Sequence, residues 1–377
     1  MSVLIDEPFP ASAITSGPPR AGLVVPSLPC GFPSQLQGKL AWTGASMSKT
    51  SDFILKLSGA EIIEVKAALE QFKTLGDDGD AINPCNFPLP TLGLKLADLS
   101  RDIHNGQGVA VIRGLDPASF SVEDLTMIYL GVSSYIAEHR GRQDKRGNML
   151  VHIVADNSTK QVAEHHRHST KEITFHNEEA GDVISWLTRS TAAAGGKCVI
   201  ASAYTIYNIL AATRPDLIRI LARSDWPFAL PKFHCRPVIF HQDGKLMMNF
   251  GRAALLGSDA YPRPSHLPAL TSQQKEALDA IESIAQATQL EIQTRAGDMH
   301  FINNLAVLHR REGFVNGEAS NEKRHLVRMR LRGTEHGWTI PSALGHEWNK
   351  AFGQKGSKHW HLEPMPASFF PLRRQPN

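Results

Sequence analysis

From residue 174 onward the chain breaks into short apolar runs, at 182–188, 197–201, 237–241, 245–250, 290–294, 298–303 and 324–331. Runs this short, bounded by turn residues, read as strands rather than helices. Asp243-Gly244 separates two of them and is a strong hairpin signal. Two helical periods interrupt the series, 205–221, broken at Pro215, and 271–287, opened by a Thr271 and Gln274 capping box. Strands at irregular spacing with a few helices outside them predict a mainly β fold with flanking helices (α+β), a sandwich or barrel.

The first half is more helical. Ser58 and Glu61 form a capping box, Ile62, Val65, Leu69 and Phe72 share a face, and Gly76 is the stop. Residues 108–113 read as a buried strand, 121–140 as a helix, and 141–170 as a long polar loop rich in histidine. Residues 1–40 are rich in Pro, Gly and Ser and read as a flexible arm, and 354–377 as a tail. One domain is expected over 41–353.

Composition removes several function classes. Apolar residues make up 42% and charged residues 20%, which excludes overall disorder. The net charge of +3 leaves no basic footprint for nucleic acid, and no apolar run is long enough for a membrane helix. Cys30, Cys85, Cys198 and Cys235 form no CxxC pair, so neither a zinc ribbon nor a disulfide framework is indicated. The N-terminus lacks a secretory signal pattern, and the expected location is cytoplasmic. Oligomeric state is left open.

The chemistry-bearing pattern is Phe175-His176-Asn177-Glu178. Residues i and i+2 of a strand point to one side, so His176 and Glu178 can reach one metal ion. A distant histidine, for which His309 is the candidate, would complete a 2-His-1-carboxylate triad suited to Fe(II). Arg324 and Arg328, four apart in RHLVR, share a strand face downstream and suit bidentate binding of an oxoacid carboxylate.

These residues, with Val111-Ile-Arg-Gly-Leu115, Arg140-Gly-Arg-Gln-Asp144, Gly195-Gly196, Ala296-Gly-Asp298 and Ile302-Asn-Asn304, resemble the TauD/TfdA family of Fe(II)- and 2-oxoglutarate-dependent dioxygenases. The similarity runs from about Trp42 to Phe352, in particular to the fungal secondary-metabolism branch. It implies a double-stranded β-helix (a distorted jelly roll) and a single catalytic domain. It also implies iron ligands at His176, Glu178 and His309, with Glu where most relatives carry Asp. Arg324 would hold the C5 carboxylate of 2-oxoglutarate and Arg328 an acidic group on the substrate, the reverse allocation remaining open. Cys198 stands where relatives place a Thr or Ser that donates to the same carboxylate. A thiol is a poor donor, so Arg324 carries more, or Lys197 or another donor compensates.

Asn177 and Trp186 are candidate substrate contacts. The implied reaction couples decarboxylation of 2-oxoglutarate by O2, yielding succinate and CO2, to oxidation of an unactivated carbon of a small metabolite. Hydroxylation, desaturation, epoxidation and cyclisation all remain open. The alternatives are a non-catalytic binding protein and a metal-dependent isomerase or hydrolase on the same scaffold. Among the other histidines, the cluster at 164–168 reads as a solvated loop or a lid, His300 as structural, and His359 and His361 as inert.

Overall fold

The computed structural model describes residues 27–155, 169–230, 232–258, 262–353 and 356–364. In chain order the strands are β1 (Ile54–Lys56), β2 (Val109–Arg113), β3 (His139–Gly141), β4 (Val151–Val154), β5 (Ile173–His176), β6 (Val183–Ser190), β7 (Ala194–Gly195) and β8 (Cys198–Ser202). They continue with β9 (Pro227–Phe228), β10 (His234–Cys235), β11 (Ile239–Gln242), β12 (Lys245–Met248), β13 (Leu290–Ile292), β14 (Met299–Asn303), β15 (Val307–Arg311), β16 (Phe314–Val315) and β17 (His325–Arg332). The helices that matter for packing are α1 (Gly59–Leu75), α2 (Leu92–Asn105), α3 (Val122–Ser134), α4 (Ala203–Thr213), α5 (Pro215–Leu221) and α6 (Ser272–Thr288).

Two sheets form the frame. The larger has seven strands in the order β1-β2-β14-β6-β17-β3, with β4 also paired to β17. The smaller has four, β13-β8-β15-β5. Their facing surfaces meet in one apolar layer that includes Val109, Val111, Ile184 and Ile302 from the large sheet and Ile200, Leu290, Ile292 and Val307 from the small one. The outer face of the large sheet is covered by α1, α2 and α3, through residues such as Phe72, Leu96 and Ile128. The outer face of the small sheet is covered by α4, α5 and α6. Two stacked sheets with helices outside match the mainly β expectation and the jelly roll.

Local signals account for many of the boundaries. Both expected capping boxes are present, at Ser58 with Glu61 and at Thr271 with Gln274. Gly76 closes α1 in a left-handed conformation. Pro215 separates α4 from α5. Asp243 and Gly244 both take positive φ, 52° and 71°, and turn β11 into β12.

Two boundaries differ from expectation. The helix expected over 121–140 stops at Ser134, and residues 139–141 instead pair with the end of β17. The Arg140 guanidinium donates to the carbonyls of Asp80, Ile82 and Leu130, contacts an extended helix would not allow. The polar stretch 141–170 also contains β4, whose ladder partner β17 lies far along the chain. The histidine cluster at 164–168 falls outside the described residues. Within 1–40, Leu36 and Leu40 are buried, and Asn208 bonds both backbone groups of Leu36.

A buried ion pair ties β2 to the turn before β14. Arg113 donates to both Asp298 oxygens, through Nε at 2.8 Å and Nη2 at 2.7 Å. Asp298 also accepts from the Arg295 amide at 2.7 Å. The turn requires Gly297, at φ 86°, because an added Cβ would lie 1.8 Å from the Leu115 carbonyl oxygen. Removing one partner of such a pair leaves a buried charge uncompensated. Arg113→Ala is therefore expected to destabilise the protein by about 3 kcal/mol, read from chemical denaturation.

Candidate functional site

β15 runs antiparallel between β8 and β5, and its register sets His309 directly opposite His176. Their rings lie 4.3 Å apart, centroid to centroid. The strand ends at His176, so Glu178 reaches the site from the following loop rather than from a strand face. Asn304 holds that loop in place. Its Oδ1 accepts from the Glu178 amide at 2.8 Å, and its Nδ2 donates to the carbonyls of Glu178 and Gly181, both at 3.0 Å.

The result is convergence of three donor groups. Glu178 Oε1 lies 3.9 Å from His176 Nε2 and 4.0 Å from His309 Nε2. One donor atom from each residue falls within 4.8 Å of the others. Among the described residues this is the sole group of three or more His, Cys, Asp or Glu side chains so placed. His176 Nδ1 contacts the Thr174 carbonyl at 2.9 Å. A proton on Nδ1 donated to that carbonyl leaves Nε2 with a lone pair for a metal.

The three ligand candidates line a cavity between the sheets, along with Trp186, Cys198, Arg324, Arg328 and an apolar wall of Ile153, Ile173, Ile184 and Leu326. Two of the cations differ in their partners. Arg328 donates to Glu178 Oε1 through Nη1 and to Gln143 Oε1 through Nη2 at 3.0 Å. No carboxylate among the described residues pairs with Arg324, although it is buried. Burial lowers its guanidinium pKa to about 10, still charged at neutral pH. A buried cation of this kind calls for an anion. The donor set of two imidazoles, one carboxylate and a nearby guanidinium fits a divalent iron and an oxoacid.

The model of the Taurine catabolism dioxygenase TauD, TfdA family matches residues 71–330. The chain is also 34% identical over 345 residues to a taurine hydroxylase-like protein, SAT17, of Stachybotrys chartarum, covering 88% of this chain and 89% of that one. The chain belongs to the TauD/TfdA family.

Solved structures show the same fold. One is an asparagine oxygenase in complex with Fe(II), a 3-hydroxyasparagine and succinate, at TM-score 0.59 and 16% identity, covering 76% of this chain and 99% of that one. Another is the non-haem iron oxygenase OrfP in complex with Fe and α-ketoglutaric acid, at TM-score 0.51 and 16% identity, covering 74% and 93%. As a TauD/TfdA member the chain is a 2-oxoglutarate-dependent non-haem iron oxygenase that uses Fe(II), 2-oxoglutarate and O2 and acts on a small molecule. Among the described residues no helix is long and apolar enough to cross a membrane.

Not every expected site residue faces the cavity. Asn177 does not. Its Nδ2 donates to the carbonyls of Asn304 and Val307 and its Oδ1 accepts from the Phe250 amide, so its amide fastens the loop and is not a substrate contact. Lys197 does not compensate for Cys198, because its ammonium pairs with Glu291 on the surface at 2.9 Å. Cys198 does line the cavity, but burial pushes its thiol up to about 12, leaving a neutral group of little donor strength. Trp186 also lines it and stacks on His300, with centroids 4.9 Å apart and an interplanar angle of 13°. His300 is buried, and desolvation lowers it to about 4, so the ring is held neutral against Trp186.

His361 is not inert. Its Nε2 contacts Asn148 Oδ1 at 2.7 Å, and its carbonyl contacts His152 Nε2. Gln143 and Asn304 were given no individual role from the sequence, yet one holds Arg328 and the other holds the Glu178 loop. Their motif context was the only available signal.

Asn304→Ala removes three hydrogen bonds and leaves the buried Glu178 amide without its partner. The expected loss is about 3 kcal/mol of stability. Metal affinity should fall roughly tenfold or more, as for other residues that orient ligands. Denaturation and Mn(II) titration read the two effects separately.

Proposed function

We propose that His176, Glu178 and His309 hold Fe(II), that Arg324 binds the distal carboxylate of 2-oxoglutarate, and that the substrate is a small metabolite carrying an acidic group. The observation that carries this reading is the convergence of the three donor atoms within 4.8 Å beside a buried guanidinium that has no carboxylate partner among the described residues. Iron with 2-oxoglutarate and O2 supplies the oxidising power, releasing succinate and CO2 as an unactivated carbon is oxidised.

The protein's own residues bind and orient. The Thr174 carbonyl fixes the His176 tautomer, and Asn304 fixes the loop from which Glu178 projects. Arg328 holds the Glu178 carboxylate in one direction, and Gln143 holds Arg328 in turn. An ionised carboxylate oxygen accepts from more than one donor, so pairing with Arg328 is compatible with metal ligation. Ile153, Ile173, Ile184, Leu326 and Trp186 wall the cavity and limit the water that reaches the reacting centre.

Arg328 is the candidate anchor for the substrate's acidic group. Its guanidinium already serves Glu178 and Gln143, so a substrate anion meets it as a third partner. The hydroxylated asparagine and arginine bound by the structural neighbours, and the taurine named for the curated relative, favour a small acid of the amino-acid or sulfonate kind. The fungal relative fits a place in secondary metabolism.

With Fe(II) and 2-oxoglutarate, a panel of small amino and sulfonic acids is expected to give succinate release. His176→Ala and His309→Ala should reduce it to background. Full activity in either variant contradicts the ligand assignment. Iron binding without succinate from any acid in the panel favours a binding protein, and turnover without 2-oxoglutarate favours a hydrolase or isomerase.

A further inference from the structure

His300 is fully buried in β14, and neither of its ring nitrogens has a hydrogen-bond partner among the described residues. The Asp298 carboxylate stands 3.9 Å from Nε2, but Arg113 and the Arg295 amide already hold it. Two bare polar atoms in a core cost stability, and an aliphatic residue would avoid that cost. What the imidazole supplies instead is a flat face. It lies directly opposite Trp186 across the β14–β6 ladder, and the two rings stack at 13° with centroids 4.9 Å apart.

This stacked pair connects the two ends of the cavity. The indole is 6.2 Å from the His309 ring, centroid to centroid. His300 in turn feels the Arg324 guanidinium: burial lowers the imidazole to about 4 against the pull of Asp298, and the Arg113 and Arg324 charges add to the lowering. A neutral ring does not compete with Arg324 for an anion. An oxoacid that chelates a metal at His309 and reaches Arg324 with its far end has to carry its two methylene groups across the space between them. Methylenes gain from an apolar surface. His300 covers one face of the indole, and Trp186 lines the cavity with the rest.

We propose that Trp186 is the platform on which the carbon chain of 2-oxoglutarate packs, and that His300 is a positioning residue that holds the indole in that plane. This rests on the metal and Arg324 assignments given above. It makes the site sensitive to the length of the co-substrate as well as to its charge.

The test is calorimetric binding of three oxoacids to the full chain loaded with Mn(II). 2-Oxoglutarate has the chain and the far carboxylate, 2-oxopentanoate has the same chain without the far carboxylate, and pyruvate has neither. Wild type is expected to bind 2-oxopentanoate about fourfold or more tightly than pyruvate, the size of one buried methylene. Trp186→Ala and His300→Leu should each weaken both chain-bearing acids by a common factor of about four and leave pyruvate unchanged. His300→Phe keeps the flat face and should retain the preference, a rescue that a merely structural role would not produce. Arg324→Gln, in contrast, should weaken 2-oxoglutarate alone.

Equal weakening of all three acids in His300→Leu, or no weakening of the chain-bearing pair, overturns the proposal. So does a loss in His300→Phe as large as in His300→Leu, or wild type that binds 2-oxopentanoate and pyruvate alike. Should His300→Leu fail to fold, His300→Met decides by the same criteria, since its flexible chain fills the space without a flat face. Wild type that binds 2-oxoglutarate no better than 2-oxopentanoate overturns the Arg324 reading, while the comparison with pyruvate still decides the platform. Wild type that binds none of the three overturns the metal reading and this proposal with it.

Discussion

His309 lies opposite His176 because β15 runs antiparallel to its neighbours in a fixed register. A slip of one residue in β15 would turn the His309 imidazole to the other face of the sheet, away from His176. The rest of the site is built around that pairing. Asn304, just before β15, clamps the loop just after β5, so the carboxylate reaches the histidines from the same pair of strands. The metal-binding potential of the chain thus depends on one ladder and one buried amide.

β17 supplies the second half of the site by reversing the usual pattern. Its outward positions, Val327, Met329 and Leu331, are apolar and pack under the helices. Its charged positions, Arg328 and Arg330, are buried on the opposite face, and Arg324 joins them just before the strand. Charges inside a sandwich are costly unless paired. Arg328 is matched by Glu178 and Gln143, and Arg330 approaches Glu179 at 3.8 Å. Arg324 has no carboxylate among the described residues, and the proposed partner for it is the distal carboxylate of 2-oxoglutarate. The polarity of the cavity therefore runs from the paired Glu178 and Arg328 to the cationic Arg324.

Much of this was legible in the sequence because it rests on local signals. The strands at 182–188 and 298–303, the Asp243-Gly244 hairpin and both capping boxes follow from period, turn chemistry and capping within a few residues. The two histidines and the arginines were found by strand parity and family resemblance. Non-local determinants were not visible. The bond from Asn304 to Glu178 spans 126 residues and that from Arg328 to Gln143 spans 185, and no local period encodes either. The early end of the helix at Ser134 and the strand at 151–154 have the same origin, since both are decided by pairing with β17. Strand alternation was extended to Glu178, past the point where the strand ends, yet its carboxylate still reaches the histidines from the loop.

The most direct test of the central claim is the position of a bound metal. Anomalous diffraction from crystals loaded with Mn(II) and 2-oxoglutarate in the absence of oxygen would locate it. The account predicts a single strong peak bounded by His176 Nε2, His309 Nε2 and a Glu178 oxygen, with the far carboxylate of the oxoacid on Arg324. A peak elsewhere, or one ligated by the two histidines while Glu178 remains bound only to Arg328, would contradict it.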